Sequence, residues 1–104
     1  MTTVRFLKCN DDFWGLECSG HSGFAEFGQD IVCSAISTLC GTLHIALSKV
    51  LNLPIIHKQD DKQGFFYLEL KNKKDSIIAN KFFQTIYYSF CEIANSYPKF
   101  VKIL

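Results

Sequence analysis

One cysteine stands where its sulfur could act as a nucleophile. Residues 20–35 read GHSGFAEFGQDIVCSA, and Cys33 lies three positions after Asp30, a residue type that favours the N-cap of a helix. A helix N-terminus presents free N–H groups and a partial positive charge, and both favour a thiolate over a thiol. The same N–H groups can bind the oxyanion of an acyl-transfer intermediate. Cys33 is therefore the candidate nucleophile, and the alternative is a small apolar residue that begins a helix.

The other four cysteines are less suited to chemistry. Cys40 lies deep in the first predicted helix, Cys91 lies in the closing turns of the second, and Cys9 lies in a predicted turn. Cys18 ends a predicted strand near the site and is the one competing nucleophile. The count of five is odd and no pair is spaced C-x-x-C, so neither a disulfide framework nor a zinc site is favoured. We expect a reduced, cytoplasmic protein that uses no metal and no cofactor.

A nucleophilic cysteine needs a base, and three histidines compete for that role. His44 lies on the same predicted helix as Cys33 and about 16 Å away, which excludes it. His57 ends a short strand and is typical of a surface imidazole. His21 lies twelve positions before Cys33, at the start of a strand–loop–helix unit that can bring both residues together, and is the best base. A metal site made by His21, Cys33 and Cys18 is the competing arrangement.

The loop between these two residues has the composition of a lid. Gly23 and Gly28 give the backbone freedom, while Phe24 and Phe27 give it apolar surface to bury. We predict that the loop closes over a peptide and excludes water. The alternative is that both phenylalanines only cap the core.

Supporting groups for the site are harder to find. Ser37 lies one helical turn after Cys33 and could donate a hydrogen bond near the thiolate, or could be satisfied by its own helix. No residue obviously orients His21. Asp30 is the candidate carboxylate for this role, but it cannot easily both cap the helix and hold the imidazole.

The periodicity of apolar residues predicts seven elements in the order ββαββαβ. Two amphipathic helices packed on one face of a small, mostly antiparallel sheet are the economical α+β arrangement. The predicted elements are strands over 2–8 and 13–18, a helix over 30–51, strands over 54–57 and 65–70, a helix from 75 or 76 to 95, and a closing strand over 100–104.

The second predicted helix carries more aromatic residues than one face needs. Its expected core-facing stripe is made by Ile78, Phe82, Ile86, Phe90 and Ile93. Phe83 and Tyr87 then fall on a neighbouring face, where an exposed aromatic patch would be costly. We predict a homodimer that buries this patch or pairs an edge strand; the alternative is a wide core-facing stripe that absorbs both residues.

Length and charge limit the class of protein. A chain of 104 residues, 48% of them hydrophobic, is expected to form a single domain, 1–104, with a real core. The net charge of +1 argues against direct nucleic-acid binding. No segment is predicted to be a signal peptide or to approach the ~18 apolar residues of a membrane span.

The arrangement G-H, a glycine-containing loop and then D-I-V-C-x-A-x-S resembles the ribosomal-processing cysteine proteases called Prp. The resemblance extends over nearly the whole chain, through the length, the opening hairpin, the order of elements and the Tyr97-Pro98 pair before the last strand. It departs mildly at Ser22 and Ser34, where the family often has alanine. Ser22 beside His21 could alter the hydrogen bonding of the imidazole.

The resemblance implies an activity, a substrate and an assembly. It implies a cysteine endopeptidase with Cys33 as nucleophile and His21 as base, and with Gly20, Asp30 and Ser37 at supporting positions. The implied partner is the precursor of large-subunit ribosomal protein twenty-seven, whose apolar N-terminal extension is removed during ribosome biogenesis. The resemblance also implies a homodimer, because the family forms homodimers. The alternative is a non-catalytic, ribosome-associated module that binds a peptide or RNA.

Overall fold

Alternating apolar residues build a five-stranded sheet in the computed structural model, which describes residues 1–104. The strand order is β3-β4-β2-β1-β5, with every neighbouring pair antiparallel except β1 and β5, which are parallel. The strands are β1 (Thr2–Cys9), β2 (Asp12–Ser19), β3 (Ile55–Asp60), β4 (Phe65–Leu70) and β5 (Val101–Ile103). The predicted α+β architecture and order of elements are confirmed.

The β3–β4 hairpin is longer than predicted. Strand β3 continues to Asp60, so that the connecting turn is reduced to residues 61–64. Gly64 ends this turn with φ +63°, a left-handed conformation that glycine adopts without steric cost. The hairpin therefore carries a tight and well-defined turn to the edge of the sheet beside the end of β2, since Ser19 pairs with Phe65.

Two long helices cover one face of the sheet. Helix α1 (Ile31–Ile45) continues into a π-helical segment (Ala46–Val50), and helix α2 (Ser76–Ser96) follows a single 3₁₀ turn (Lys73–Asp75). Asp30 is the N-cap of α1, as predicted, because its side chain accepts a hydrogen bond from the Cys33 amide. The predicted helix over 30–51 thus corresponds to α1 together with the π-helical segment.

The core lies between the helices and the sheet. Both helices and the strands β1, β2 and β4 contribute buried side chains to one cluster, and β5 adds Val101. The buried residues of the helices are Val32, Ile36, Cys40, Leu43 and Leu47 before β3, and Ala79, Phe83, Ile86 and Phe90 on α2.

The predicted core-facing stripe of α2 is confirmed at Ile86 and Phe90 and wrong in the first half of the helix. Phe82, expected in the core, is 36% exposed and Ile78 is also exposed, whereas Phe83, expected on a neighbouring face, is fully buried. Successive steps of four residues drift around a helix by about 40° each, so the predicted stripe could not stay on one face. The observed stripe alternates steps of four and three residues from Ala79 to Phe90 and therefore stays on one face. Tyr87 is half-buried, with its ring against Phe6 and Phe13.

Residues Ile31–Val50 form the most apolar helical stretch of the chain. With 20 residues and a mean hydropathy of 1.7, the stretch is long and apolar enough, by length and composition only, to cross a membrane. The prediction that no segment approaches such a length is therefore wrong. A core helix passes the same test, and the side chains of Val32, Ile36 and Leu43 lie in the core.

Candidate active site

A buried carboxylate joins the start of α1 to the loop that precedes it. Asp30 is only 6% exposed. Its Oδ1 accepts the Cys33 amide at 2.9 Å, and its Oδ2 accepts the Ser22 hydroxyl and the amides of Phe24 and Ala25, at 3.1 and 3.3 Å. Burial works to raise the pKa of Asp30, but these hydrogen bonds outweigh it and lower the pKa to about 2. Asp30 is therefore ionised at neutral pH and fixes the loop through its charge.

The sulfur of Cys33 lies against Ser22. Cys33 is half-buried, and its Sγ accepts a hydrogen bond from the Ser22 amide at 3.4 Å and lies 3.6 Å from the Ser22 hydroxyl oxygen. The Cys33 amide already donates a hydrogen bond to Asp30. The amides of Ile31 and Val32 are therefore the free N–H groups of the first helical turn. The oxyanion site expected at the helix start is therefore reduced to those two amides.

His21 contacts the β3–β4 turn instead of the thiol. Its Nε2 lies 2.9 Å from the Lys62 carbonyl oxygen, and its exposed ring meets the Phe27 ring edge-on, with centroids 6.2 Å apart. No hydrogen bond joins the imidazole to Cys33. The two residues are nonetheless neighbours in the site, because Ser22, which follows His21, contacts the sulfur.

Gly20 occupies a position that no other residue fits. Its φ is +91°, and an added Cβ would lie 2.6 Å from the Met1 carbonyl oxygen. Its carbonyl accepts the Thr2 hydroxyl, and its amide donates to the Gly64 carbonyl oxygen at 2.8 Å. The backbone entering His21 is therefore fixed by β1 on one side and by the β3–β4 turn on the other.

The predicted lid loop lies outside the core. Gly23 and Gly28 have φ of +78° and +86°. Phe24 packs edge-on against Tyr97, with ring centroids 5.6 Å apart, whereas Phe27 is 84% exposed beside His21. The alternative that both phenylalanines cap the core does not match this placement. Closure of the loop over a peptide remains a prediction.

The remaining candidates are not brought into contact with the thiol. Ser37 is exposed and forms no hydrogen bond with Cys33. Cys18 is buried with its Sγ 3.6 Å from that of Cys40, and this contact, together with burial, raises the pKa of the Cys18 thiol. Cys18 therefore does not join His21 and Cys33, and no three His, Cys, Asp or Glu side chains are grouped so as to hold a metal ion.

The other two histidines pair with each other. The rings of His44 and His57 meet with centroids 4.6 Å apart, which places both on the α1–β3 side of the molecule. Burial lowers the pKa of His44, and the nearby His57 lowers it further. Neither contacts Cys33, so His21 is the histidine that remains near the thiol.

Sequence reasoning missed two contributors, the Ser22 side chain and the β3–β4 turn. Ser22 is buried and binds Asp30, where the sequence suggested only an effect on His21. The turn acts through main-chain groups, which carry no signal in the sequence. Two grooves of about 450 and 470 Å³ lie around Tyr87 and Leu104, and neither is lined by Cys33 or His21.

Comparison with known proteins assigns the chain to a family. No curated protein sequence matches it. Among solved structures, the SMU.848 protein of Streptococcus mutans is 29% identical with a TM-score of 0.83, covering 100% of this chain and 94% of its own. The essential ribosomal processing protease Prp from S. aureus, in complex with a covalently linked product peptide, is 23% identical with a TM-score of 0.87, covering 99% and 97%. The same protease with a substrate peptide is 21% identical with a TM-score of 0.84, covering 100% and 98%. The sequence also matches the family described as cysteine protease Prp over residues 1–102, and the chain therefore belongs to the Prp family of cysteine proteases.

Proposed function

We propose that this cysteine protease removes the N-terminal extension of large-subunit ribosomal protein twenty-seven, with Cys33 as nucleophile and His21 as general base. The observation that carries the proposal is the half-buried Cys33 sulfur in the first turn of α1, beside the residue that follows His21. Family membership over residues 1–102 supports the protease chemistry. It also argues against a non-catalytic peptide- or RNA-binding module.

The proposed reaction begins with proton transfer. His21 takes the proton of Cys33, and the thiolate attacks the scissile carbonyl carbon, forming a C–S bond. The free amides of Ile31 and Val32 stabilise the oxyanion. The imidazolium then protonates the leaving amine as the C–N bond breaks, and water hydrolyses the thioester. Because no hydrogen bond joins His21 to Cys33 in the resting protein, the imidazole must shift toward the sulfur when substrate binds.

The surroundings of the thiol favour an extended, apolar peptide. Two exposed apolar side chains lie close to Cys33 and His21 in the chain: Phe27 in the loop and Ile31 at the start of α1. An extended segment of the precursor can lie across these residues and cover them with apolar side chains. The two S. aureus Prp structures hold a substrate peptide and a covalently linked product peptide, which supports the same substrate class here.

The proposal is tested by incubating the protein with the ribosomal protein precursor and measuring the products by mass spectrometry. We expect one cleavage that yields the mature N-terminus. Cys33→Ser should abolish this product, whereas Cys9→Ser, in an exposed position outside the site, should retain it. An uncleaved precursor with wild-type protein, or cleavage by Cys33→Ser, would contradict the proposal.

We further propose that the protein acts in the cytoplasm as a homodimer. All five cysteines are free, including the adjacent pair Cys18 and Cys40, as suits a reducing compartment. The predicted aromatic patch cannot be the interface, because Phe83 is buried. Exposed apolar residues lie instead near the end of the first helical stretch and at the start of α2, which contacts the π-helical segment. These residues are Ile45, Val50, Ile77 and Ile78.

A further inference from the structure

No side-chain acceptor faces the imidazole of His21. Cysteine proteases need the base to present an unprotonated nitrogen to the thiol, and a group on the other ring nitrogen normally fixes that tautomer. Here the only hydrogen-bond partner of the ring is the Lys62 carbonyl oxygen, 2.9 Å from Nε2. A carbonyl can only accept, so Nε2 carries the hydrogen. The unprotonated nitrogen of the neutral ring is then Nδ1.

The turn that supplies this carbonyl is held in place by several hydrogen bonds. The amides of Lys62 and Gln63 donate to Asp60 Oδ1 at 3.1 and 3.2 Å, and the Gly64 amide donates to the Asp61 carbonyl oxygen at 3.3 Å. The Gly64 carbonyl oxygen accepts the Gly20 amide at 2.8 Å. The Lys62 carbonyl is therefore fixed relative to the backbone of the histidine that it contacts.

Gly64 also lies so close to His21 that an added side chain would force its neighbours to move. A Cβ added there would lie 3.0 Å from the Gly20 carbonyl carbon and the His21 amide nitrogen, and 3.1 Å from His21 Nδ1. With φ at +63°, an L-residue would be strained as well. A side chain at this position would push directly on the nitrogen that has to receive the thiol proton.

We infer that the β3–β4 turn is the third component of the catalytic centre, a role that rests on the proposed Cys33–His21 pair. The Lys62 carbonyl holds the Nε2–H tautomer of the resting ring. Nδ1 then carries no hydrogen and can accept the proton of Cys33 once the ring has shifted toward the sulfur. Gly64 is a positioning residue that keeps the turn close to the ring. The carbonyl orients the ring without adding a negative charge, so this centre works with no carboxylate bound to its histidine.

The tautomer is measured on the resting wild-type protein by NMR of ¹⁵N-labelled histidine, at a pH where the ring is neutral. A His21→Gln variant assigns the signals, and the same chain unfolded in urea gives the tautomer mixture of an unrestrained histidine. We expect His21 to be more fully in the Nε2–H form than in urea. An Nδ1–H form, or the same mixture as in urea, would overturn the inference whether or not the protein cleaves its proposed substrate.

A variant pair separates positioning from stability. Gly64→Ala should lower kcat by about 100-fold with little change in KM, the cost of misplacing a catalytic group by about 1 Å. It should also move the His21 tautomer toward the mixture seen in urea. Asn10→Ala is the matched control, because it places alanine at φ +58° in the other hairpin turn, away from the site. Equal kcat in the two variants at equal stability would overturn the positioning role of Gly64.

Discussion

Replacing Asp30 by asparagine tests whether one carboxylate holds the site together. In the wild-type protein both oxygens act as acceptors, Oδ1 for the Cys33 amide and Oδ2 for the Ser22 hydroxyl and two loop amides. An asparagine amide has one acceptor oxygen and one NH₂ donor. In either orientation of the amide, a donor therefore faces a donor at a nearly buried position.

The expected loss of stability is about 2–3 kcal/mol at pH 7. A pKa lowered from 3.8 to about 2 corresponds to at most about 2 kcal/mol, and screening by solvent at the loop reduces this to about 1–2 kcal/mol. The unsatisfied donor left by asparagine adds about 1 kcal/mol. Because the folded-state pKa lies below the unfolded value, the charge contribution is fully present above about pH 5 and is lost as the pH falls toward 2.

Urea denaturation at several pH values measures both effects. At pH 7 we expect the free energy of unfolding of wild type to be higher than that of Asp30→Asn. At pH 3 the part of this difference that comes from the charge should be about half as large. Glu26→Gln removes an exposed carboxylate of the same loop that forms no hydrogen bond, and should be neutral. Equal stability of Asp30→Asn and wild type at pH 7, or a difference that does not change between pH 6 and 3, would refute the reasoning.

Three further predictions concern the nucleophile, the loop and the assembly. Cys33→Ser should fold normally and lose reaction with a thiol-selective electrophile at that position, because a hydroxyl stays protonated at neutral pH; peptide mapping after labelling checks this. Gly28→Ala should destabilise the fold by only about 1 kcal/mol, since nothing lies within 4 Å of the added Cβ. Turnover should fall by more than this loss of stability explains, because the loop must move to act as a lid. A loss of activity in proportion to the loss of stability would contradict the lid. Light scattering at micromolar concentration should give a dimer that Val50→Lys with Ile78→Lys converts to monomer, whereas a wild-type monomer would remove the dimer proposal.

Much of the fold follows from short-range patterns in the sequence. The apolar alternation of β1 and β2 and the N-cap of α1 are local properties, and the structure has them where they were predicted. The face of α2 that packs on the sheet could not be predicted from such patterns. Ile78, Phe82, Phe83 and Tyr87 are all apolar or aromatic, so composition alone does not say which of them meet the sheet. Packing selects the face of α2 that meets the sheet, because only the stripe from Ala79 to Phe90 stays on one side of the helix.

The candidate site likewise has features that short-range sequence patterns predict and features that depend on contacts between distant residues. Cys33 lies three residues from its helix cap, and this short spacing made the prediction of a nucleophile possible. The sequence also suggested that Asp30 cannot easily both cap α1 and hold the imidazole. In the structure Asp30 caps the helix and binds Ser22, and the imidazole contacts a carbonyl instead. A main-chain acceptor has no residue type, so no motif could have revealed it.

Sheet order explains how that acceptor reaches the histidine. His21 and Lys62 are 41 residues apart, and the chain between them contains all of α1. They meet because β2 pairs with β4, so that Ser19, at the end of β2, lies opposite Phe65, at the start of β4. The β3–β4 turn precedes Phe65 directly and therefore arrives where the chain leaves β2 for the loop. A register shift of two residues in this pairing would move the carbonyl by about 7 Å and out of reach of the ring. The geometry of the proposed base thus depends on the pairing of β2 with β4, so the proposed catalysis requires this register just as the fold does.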